Sequence, residues 1–410
     1  MVEHVVLKTI SSAMNVYTSR DQPRFQALPP LALYIHVPWC LKKCPYCDFN
    51  SHKEPEGGVP EFRYLAALEA DLESALPLIW GRSIHTIFIG GGTPSLLSPE
   101  GMDRMLAGIR ARVKVLPDAE ITLEANPGTF EQARFKAFRE AGITRLSIGI
   151  QSFQSSFLKA LGRVHDGDEA RRAVEIGVDT FDRVNLDVMY ALPKQTLPHV
   201  LEDVNLALQS GVSHLSFYHL TLEPNTYFHR YPPPLPDDDT AAQMQEMIEE
   251  RLTDAGFDRY EVSAFARDGA RCRHNLNYWT FGDYLGIGAG AHGKISFPDR
   301  IIRQQRYKQP EQYMQKALAG SAVHTEHRVT GQDVGFEFML NALRLREGVP
   351  GSLFEAYTGY PISHVSSVLA EAVERGWLEA DPTVLRPTAL GYRFLNDLLE
   401  LFLPEEGKNT

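Results

Sequence analysis

The sequence predicts an α/β protein: a partial parallel (β/α)6 barrel followed by a mostly helical, winged-helix-like C-terminal segment. Three observations lead there. From Leu31 to about Leu220, short apolar, β-branched runs alternate with amphipathic stretches, the rhythm of βαβ units whose strands are covered on both faces. From about Val329 the apolar residues recur at helical spacing instead. A cysteine-rich loop follows the first apolar run directly, and polar residues recur near the ends of later runs, where parallel α/β folds gather their function.

The strand-like runs are 31–37 (LALYIHV), 84–89 (IHTIFI), 119–125 (AEITLEA), 145–150 (RLSIGI), 184–190 (VNLDVMY) and 214–220 (HLSFYHL). Amphipathic stretches over 59–77, 98–112, 130–141, 167–178 and 197–209 separate them. Six such strands fit an open doubly wound sheet or a partial barrel. They define a core over 31–235, preceded by a partly ordered extension over 1–30. Residues 221–239 contain Glu223-Pro224-Asn225 and the run YPPPLPDDD, and read as a stiff, exposed connector. A connecting α/β segment over 236–328 then predicts a helix at about 240–255 and a strand at 260–265. It also holds two unusual stretches, CRHNLNYW from Cys272 and DYLGIGAGAHG from Asp283, whose glycines predict backbone packed closely against something. The last segment, 329–410, predicts helices over 331–345, 351–358 and 362–376, with Gly376 just past the helix end. A short strand at 385–387 and a final helix over about 388–402 complete the winged-helix pattern.

At 410 residues the chain has room for two or three domains, and 43% hydrophobic with 23% charged residues is ordinary for a globular protein. A formal net charge of −11 excludes a general nucleic-acid binder, which needs a basic face. Glu371, Glu374, Glu379 and Asp381 argue the same for the C-terminal segment, which reads as a lid or protein-contact module. Four cysteines do not make a disulfide scaffold. No apolar run reaches the roughly 18 residues of a membrane helix, and the first 30 residues show no signal-peptide pattern. The expected location is a reducing compartment, the cytoplasm.

Three of the cysteines, Cys40, Cys44 and Cys47, fall in YIHVPWCLKKCPYCDFNSH with the spacing C-x3-C-x2-C. Three thiolates on a short loop suit a cubane iron–sulfur cluster with one iron left open to a small chelating molecule. Two rivals remain: a zinc site completed by His36 or His52, and three idle buried cysteines. The run Gly90-Gly91-Gly92-Thr93-Pro94 lets backbone approach a ligand closely, or makes a tight turn only. Glu124 ends the third strand, Gln151 ends the fourth, and Arg163 follows in LGRVH. Asp187 lies inside an apolar run, where a carboxylate is costly unless paired or functional. His274, beside Tyr278 and Trp279, is a candidate axial ligand for a heme iron, or else a hydrogen-bonded residue that pins its loop. Cys272 is a second candidate heme attachment, but no C-x-x-C-H is present.

The cysteine loop after a strand, with Tyr46 before the third cysteine, resembles the signature of the radical S-adenosylmethionine (SAM) superfamily. The segments GGGTP, LEANP, GIQSF, LGRVH, NLDVMYALP and HNLNYW extend the resemblance over about 31–402, to the oxygen-independent coproporphyrinogen III dehydrogenase family and to its heme-chaperone branch. The resemblance implies a 4Fe-4S cluster on Cys40, Cys44 and Cys47, with SAM at the open iron. It assigns Tyr34, Tyr46, Gly91, Gly92, Thr93, Glu124, Gln151, Arg163 and Asp187 to cofactor binding, and heme, if bound, is expected near His274. The dehydrogenases carry a further cysteine two positions after the third ligand, where this chain has Phe49. The branch implied is therefore a protein that binds heme and delivers it to acceptor hemoproteins, with peripheral contact to membrane hemoproteins left open. The alternative is an enzyme that cleaves SAM and oxidatively decarboxylates coproporphyrinogen III.

Overall fold

The computed structural model describes residues 22–129 and 132–404. Most of the predicted extension over 1–30 therefore lies outside the described residues, as does the end of the chain from 405.

Six parallel strands form where the apolar runs fall: β1 (Leu31–Val37), β2 (Ser83–Gly91), β3 (Lys114–Ala125), β4 (Arg145–Gln151), β5 (Val184–Tyr190) and β6 (His214–His219). Each pairs in parallel with the next, so they lie side by side in sequence order. The crossovers are helices α1 (Glu61–Ala75), α2 (Pro99–Arg112), α3 (Gln132–Ala141), α4 (Gly167–Thr180) and α5 (Leu197–Gln209). Local chemistry sets their starts. Ser98 Oγ accepts the Gly101 N–H ahead of α2, and Asp166 with Glu169 forms a capping box ahead of α4. Strand faces and helix stripes meet in one large core that includes Ile35, Ile89, Leu123, Ile148, Leu186 and Leu215, all fully buried.

The sheet continues beyond these six strands on both sides. Helix α6 (Asp238–Asp254) leads to two short strands, β7 (Asp258–Arg259) and β8 (Ala264–Ala266), with β8 antiparallel to β6. On the other side, β9 (Asp283–Ile287) runs parallel to β1 and is followed by the antiparallel strands β10 (His292–Phe297), β11 (Arg300–Arg306) and β12 (Val323–Arg328). The described order is β12-β11-β10-β9-β1-β2-β3-β4-β5-β6-β8-β7. Among the described residues no ladder joins β1 to β6, so the six-strand unit is a partial barrel.

Two expectations change, and the close packing expected of the glycines is met. The strand expected at 260–265 is only the three-residue β8, after a bend at Glu261–Ser263. The HNLNYW stretch is not a loop but the helix α7 (Arg273–Trp279). Its Asn, His and aromatic residues are poor helix formers, and tertiary partners override them: Glu120 Oε1 accepts the His274 N–H at 3.1 Å. The glycine-rich stretch becomes β9 and the turn into β10, where close packing removes side chains. A Cβ on Gly286 would lie 1.9 Å from the His292 carbonyl oxygen. The predicted connector also contains a one-turn helix, Tyr227–Arg230, whose Phe228 is buried.

The C-terminal helices include Gly331–Ala342, Ser352–Thr358 and Ser366–Glu374, with a two-residue pairing of Val349–Pro350 and Val384–Leu385. The single helix expected over 388–402 is two, Ala389–Arg393 and Leu395–Glu400, broken at Phe394. Their core, around Phe338, Met339 and Phe354, also takes in Tyr260, Phe281 and Ile301.

A buried polar cluster that the sequence did not announce fixes the β9–β10 turn. Asp71 on α1, with no exposure, accepts from Arg306 Nε at 3.2 Å, from Tyr313 OH at 2.8 Å and from the Gly288 N–H at 3.2 Å. That turn in turn holds the cysteine loop.

Candidate cluster and cofactor site

The loop that leaves β1 is pinned at several points. Trp39–Cys40 pairs with His52–Lys53. His36 Nε2 bonds the Asn50 carbonyl at 2.9 Å, and Asn50 Nδ2 donates to the Ala289 and Lys308 carbonyls at 2.9 and 2.8 Å. Lys43 Nζ donates to the Phe49 and Ser51 carbonyls, both at 3.2 Å. The Phe228 N–H donates to Pro45 O at 3.0 Å, so the connector packs under the loop.

Cys40, Cys44 and Cys47 are free, half-buried thiols on the wall of one cavity of about 360 Å³. Among the described residues no three His, Cys, Asp or Glu side chains converge as a single metal ion requires. The three thiols border one shared space, as the cluster expected from their spacing requires. Neighbouring groups suit the charge such a cluster carries. Arg163 Nη1 lies 3.7 Å from Cys44 Sγ, and Ser51 Oγ lies 3.7 Å from Cys47 Sγ. As free thiols, Cys40 and Cys47 are pushed above the usual range by burial, so iron binding has to displace their protons. The zinc alternative finds less support, because His36 commits its other ring nitrogen to Tyr34 OH at 2.9 Å. Burial lowers His36 to about 4.

The carboxyl ends of β2 to β5 complete the cavity. After β2, the Gly92 and Thr93 N–H groups donate to the Val37 and Trp39 carbonyls at 2.8 and 2.7 Å, laying this segment against the cysteine loop. Only glycine fits there: a Cβ on Gly92 would lie 2.4 Å from Trp39 O. Glu124 Oε2 accepts the Gly91 N–H at 3.0 Å. Burial first, then the nearby Asp187 charge, raises Glu124 to about 8 against that hydrogen bond. Gln151 holds a left-handed backbone, φ +66°, at a register shift between β4 and β5 that re-aims its side chain. Arg163 Nη2 donates to Gly149 O at 2.7 Å and to Asn126 Oδ1, while its buried Nε has no described partner. Asp187 accepts from Ser147 Oγ and Asn185 Nδ2, both at 2.9 Å, and burial raises it.

The structure thus brings Cys40, Cys44, Cys47, Tyr46, Gly91, Gly92, Thr93, Glu124, Gln151, Arg163 and Asp187 to one cavity. Tyr34 lies on the wall of a neighbouring cavity. His274 lines neither. It is 1% exposed, with Nδ1 2.9 Å from Thr86 Oγ1 and Nε2 3.1 Å from Tyr278 OH, and burial lowers it to about 3. Cys272, by contrast, is buried but lines the first cavity, and its thiol donates to Glu120 Oε1 at 3.6 Å.

Sequence reasoning missed other polar residues of the lining, among them Thr122, Arg145, Ser147, Asn185, His214 and Ser216. A signal was present. Polar residues two apart in each apolar run (Glu120-Thr122-Glu124, Arg145-Ser147, Asn185-Asp187, His214-Ser216) share one strand face by the twofold period.

Comparison with known proteins agrees with this geometry. Residues 34–207 match the radical SAM superfamily, and residues 329–394 match the HemN C-terminal domain. The chain is 48% identical over 383 residues to the heme chaperone HemW of Escherichia coli, covering 92% of this chain and 99% of that one. It is 34% identical to the Bacillus subtilis protein of the same name, over 91% and 99%. It is 36% identical to mouse radical S-adenosyl methionine domain-containing protein 1, mitochondrial, over 91% and 87%. Among solved structures, coproporphyrinogen III oxidase (HemN) of E. coli, a radical SAM enzyme, superimposes with a TM-score of 0.78 over 95% of this chain and 98% of that one; at 22% identity this is a likeness of fold. By full-length similarity to proteins of that name, this chain belongs to the HemW heme chaperone family of the radical SAM superfamily.

Proposed function

We propose that this chain is a heme chaperone of the cytoplasm, which binds heme and passes it to acceptor hemoproteins. The observation that carries the reading is its 48% identity to a heme chaperone over nearly the whole of both chains. A second feature supports it. Phe49, at the position where the dehydrogenases carry a cysteine, is 57% exposed and lies on the lip of the cavity.

In this reading Cys40, Cys44 and Cys47 hold a 4Fe-4S cluster. With SAM at its open iron the cluster supplies one-electron chemistry, or serves as a sensor of the loaded state. Glu124 and Asp187 offer carboxylates to the ammonium and ribose of SAM. Arg163 turns its cation toward the SAM carboxylate and the cluster sulfurs. The Gly91–Thr93 backbone, whose N–H groups are spent elsewhere, borders the ligand's space without a side chain at Gly91 or Gly92 to fill it. Tyr46 walls the cluster on its connector side, 6.4 Å from Phe228.

The test is anaerobic reconstitution with iron and sulfide, then addition of SAM, a reductant and coproporphyrinogen III. Chromatography and mass spectrometry follow 5′-deoxyadenosine and decarboxylated product. No product, from a protein that binds heme tightly, is the expected result. Product over many turnovers makes the protein an enzyme instead.

A further inference from the structure

Asp203 lies midway along α5, is 1% exposed, and lines neither cavity. Among the described residues no Lys, Arg or His pairs with it, and burial lifts its carboxyl to about 6. A carboxylate buried without a counter-ion is costly, and an apolar residue at the same position would carry no such penalty. The cofactor chemistry described above does not use it.

Both of its oxygens are spent on the turn that leaves β4. Ser152 Oγ donates to Oδ2 at 2.8 Å, and the Phe153 N–H donates to Oδ1 at 2.9 Å. Ser152 is itself fully buried, and its Oγ accepts the Gln154 N–H at 3.1 Å. Gln154 Nε2 reaches the same helix one turn earlier, donating to His199 O at 2.8 Å.

The residue just before this clamp is Gln151. Its φ is +66°, and the Ser152 N–H donates to Ile150 O at 2.9 Å across it. That is a γ-turn with positive φ at its centre, the strained form, which an L residue keeps only where its surroundings hold it. The Gln151 amide folds back over Gly149: a Cβ on Gly149 would lie 2.9 Å from Gln151 Nε2. There it borders the first cavity, with no hydrogen-bond partner among the described residues.

We propose that Asp203 is a positioning residue for SAM: by clamping Ser152 and Phe153 onto α5 it holds the strained turn at Gln151 and so aims the Gln151 amide at the ligand. The proposal rests on the assignment of Gln151 to SAM and adds the residue that keeps it in place. Arg163, further along the chain, has its own anchors at Gly149 O and Asn126, so the effect of Asp203 passes through Gln151.

The test is calorimetric titration with SAM of the full-length, cluster-reconstituted protein, with iron and sulfide measured for every variant. Gln151→Ala should weaken binding about five- to tenfold, the loss of one net hydrogen bond. Asp203→Ala should weaken it at least about threefold with wild-type iron content, yet add less than about twofold when combined with Gln151→Ala. Asp203→Asn keeps an acceptor for the Phe153 N–H and a donor for Ser152 Oγ, and should bind within about twofold of wild type. Ser152→Ala breaks the clamp from the other side, and answers the question even where Asp203→Ala does not fold. It should weaken binding about two- to threefold and likewise add nothing to Gln151→Ala. Wild-type affinity in Asp203→Ala and Ser152→Ala, or factors that multiply in the double variants, overturns the positioning role and leaves Gln151 in the site. Wild-type affinity in Gln151→Ala overturns the assignment of Gln151 itself, and the proposal with it.

Discussion

Glu124 gives the sharpest prediction, because its state in the folded chain differs from that of an ordinary carboxylate. Its pKa is raised to about 8, chiefly by burial and then by Asp187. A raised pKa favours the protonated acid, so the carboxylate appears only as pH rises through about 8. With that value, roughly one molecule in eleven carries the anion at pH 7 and roughly ten in eleven at pH 9. If SAM binds the anion, its apparent affinity gains roughly tenfold over that interval from this group alone, about 1.4 kcal/mol. Glu124→Gln keeps an oxygen for the Gly91 N–H and removes the titration. Calorimetric titration of both proteins with SAM, cluster in place, from pH 6.5 to 9, separates the effect, since the ratio cancels the ligand's own titration. The ratio of wild-type to variant affinity should rise about tenfold between pH 7 and pH 9. A constant ratio across the range would refute a role for the Glu124 carboxylate.

Other substitutions test the remaining parts. Cys44→Ala should abolish the visible absorption of the cluster, and normal iron and sulfide content in that variant would reject the three-cysteine assignment. His274→Ala removes a buried ring bonded to Thr86 and Tyr278, and should lower unfolding stability by about 2–4 kcal/mol in a urea titration while the folded protein still binds heme. Asp71→Ala should cost about 3–5 kcal/mol, because it strands the fully buried Arg306; the same denaturation experiment reads it, and iron content should fall as the turn at Gly288 loosens.

The parallel core was legible almost residue by residue, because two-sided burial leaves long apolar runs that only a covered strand explains. The run at 184–190 is β5, with its boundaries unchanged. The cysteine loop was legible because three thiols at short spacing have few structural uses. What escaped depended on partners distant in sequence. HNLNYW became a helix through Glu120, roughly 150 positions away, which no local propensity records. The short strand at 264–266 hangs on its pairing with Ser216, Leu215 and His214. His274 read either as an axial heme ligand or as a hydrogen-bonded residue pinning its segment, and its neighbours turn out to be a core in which Thr86 and Tyr278 hold both ring nitrogens.

The most direct measurement of the central claim is heme handoff. The reconstituted protein, loaded with one heme and separated from free heme, is mixed with an excess of an apo-hemoprotein, and the acceptor's spectrum and activity are followed in time. The account predicts transfer faster than dissociation of heme into solution measured with a scavenger, with the chaperone recovered intact. Transfer no faster than that dissociation, or no heme retained at loading, would contradict it.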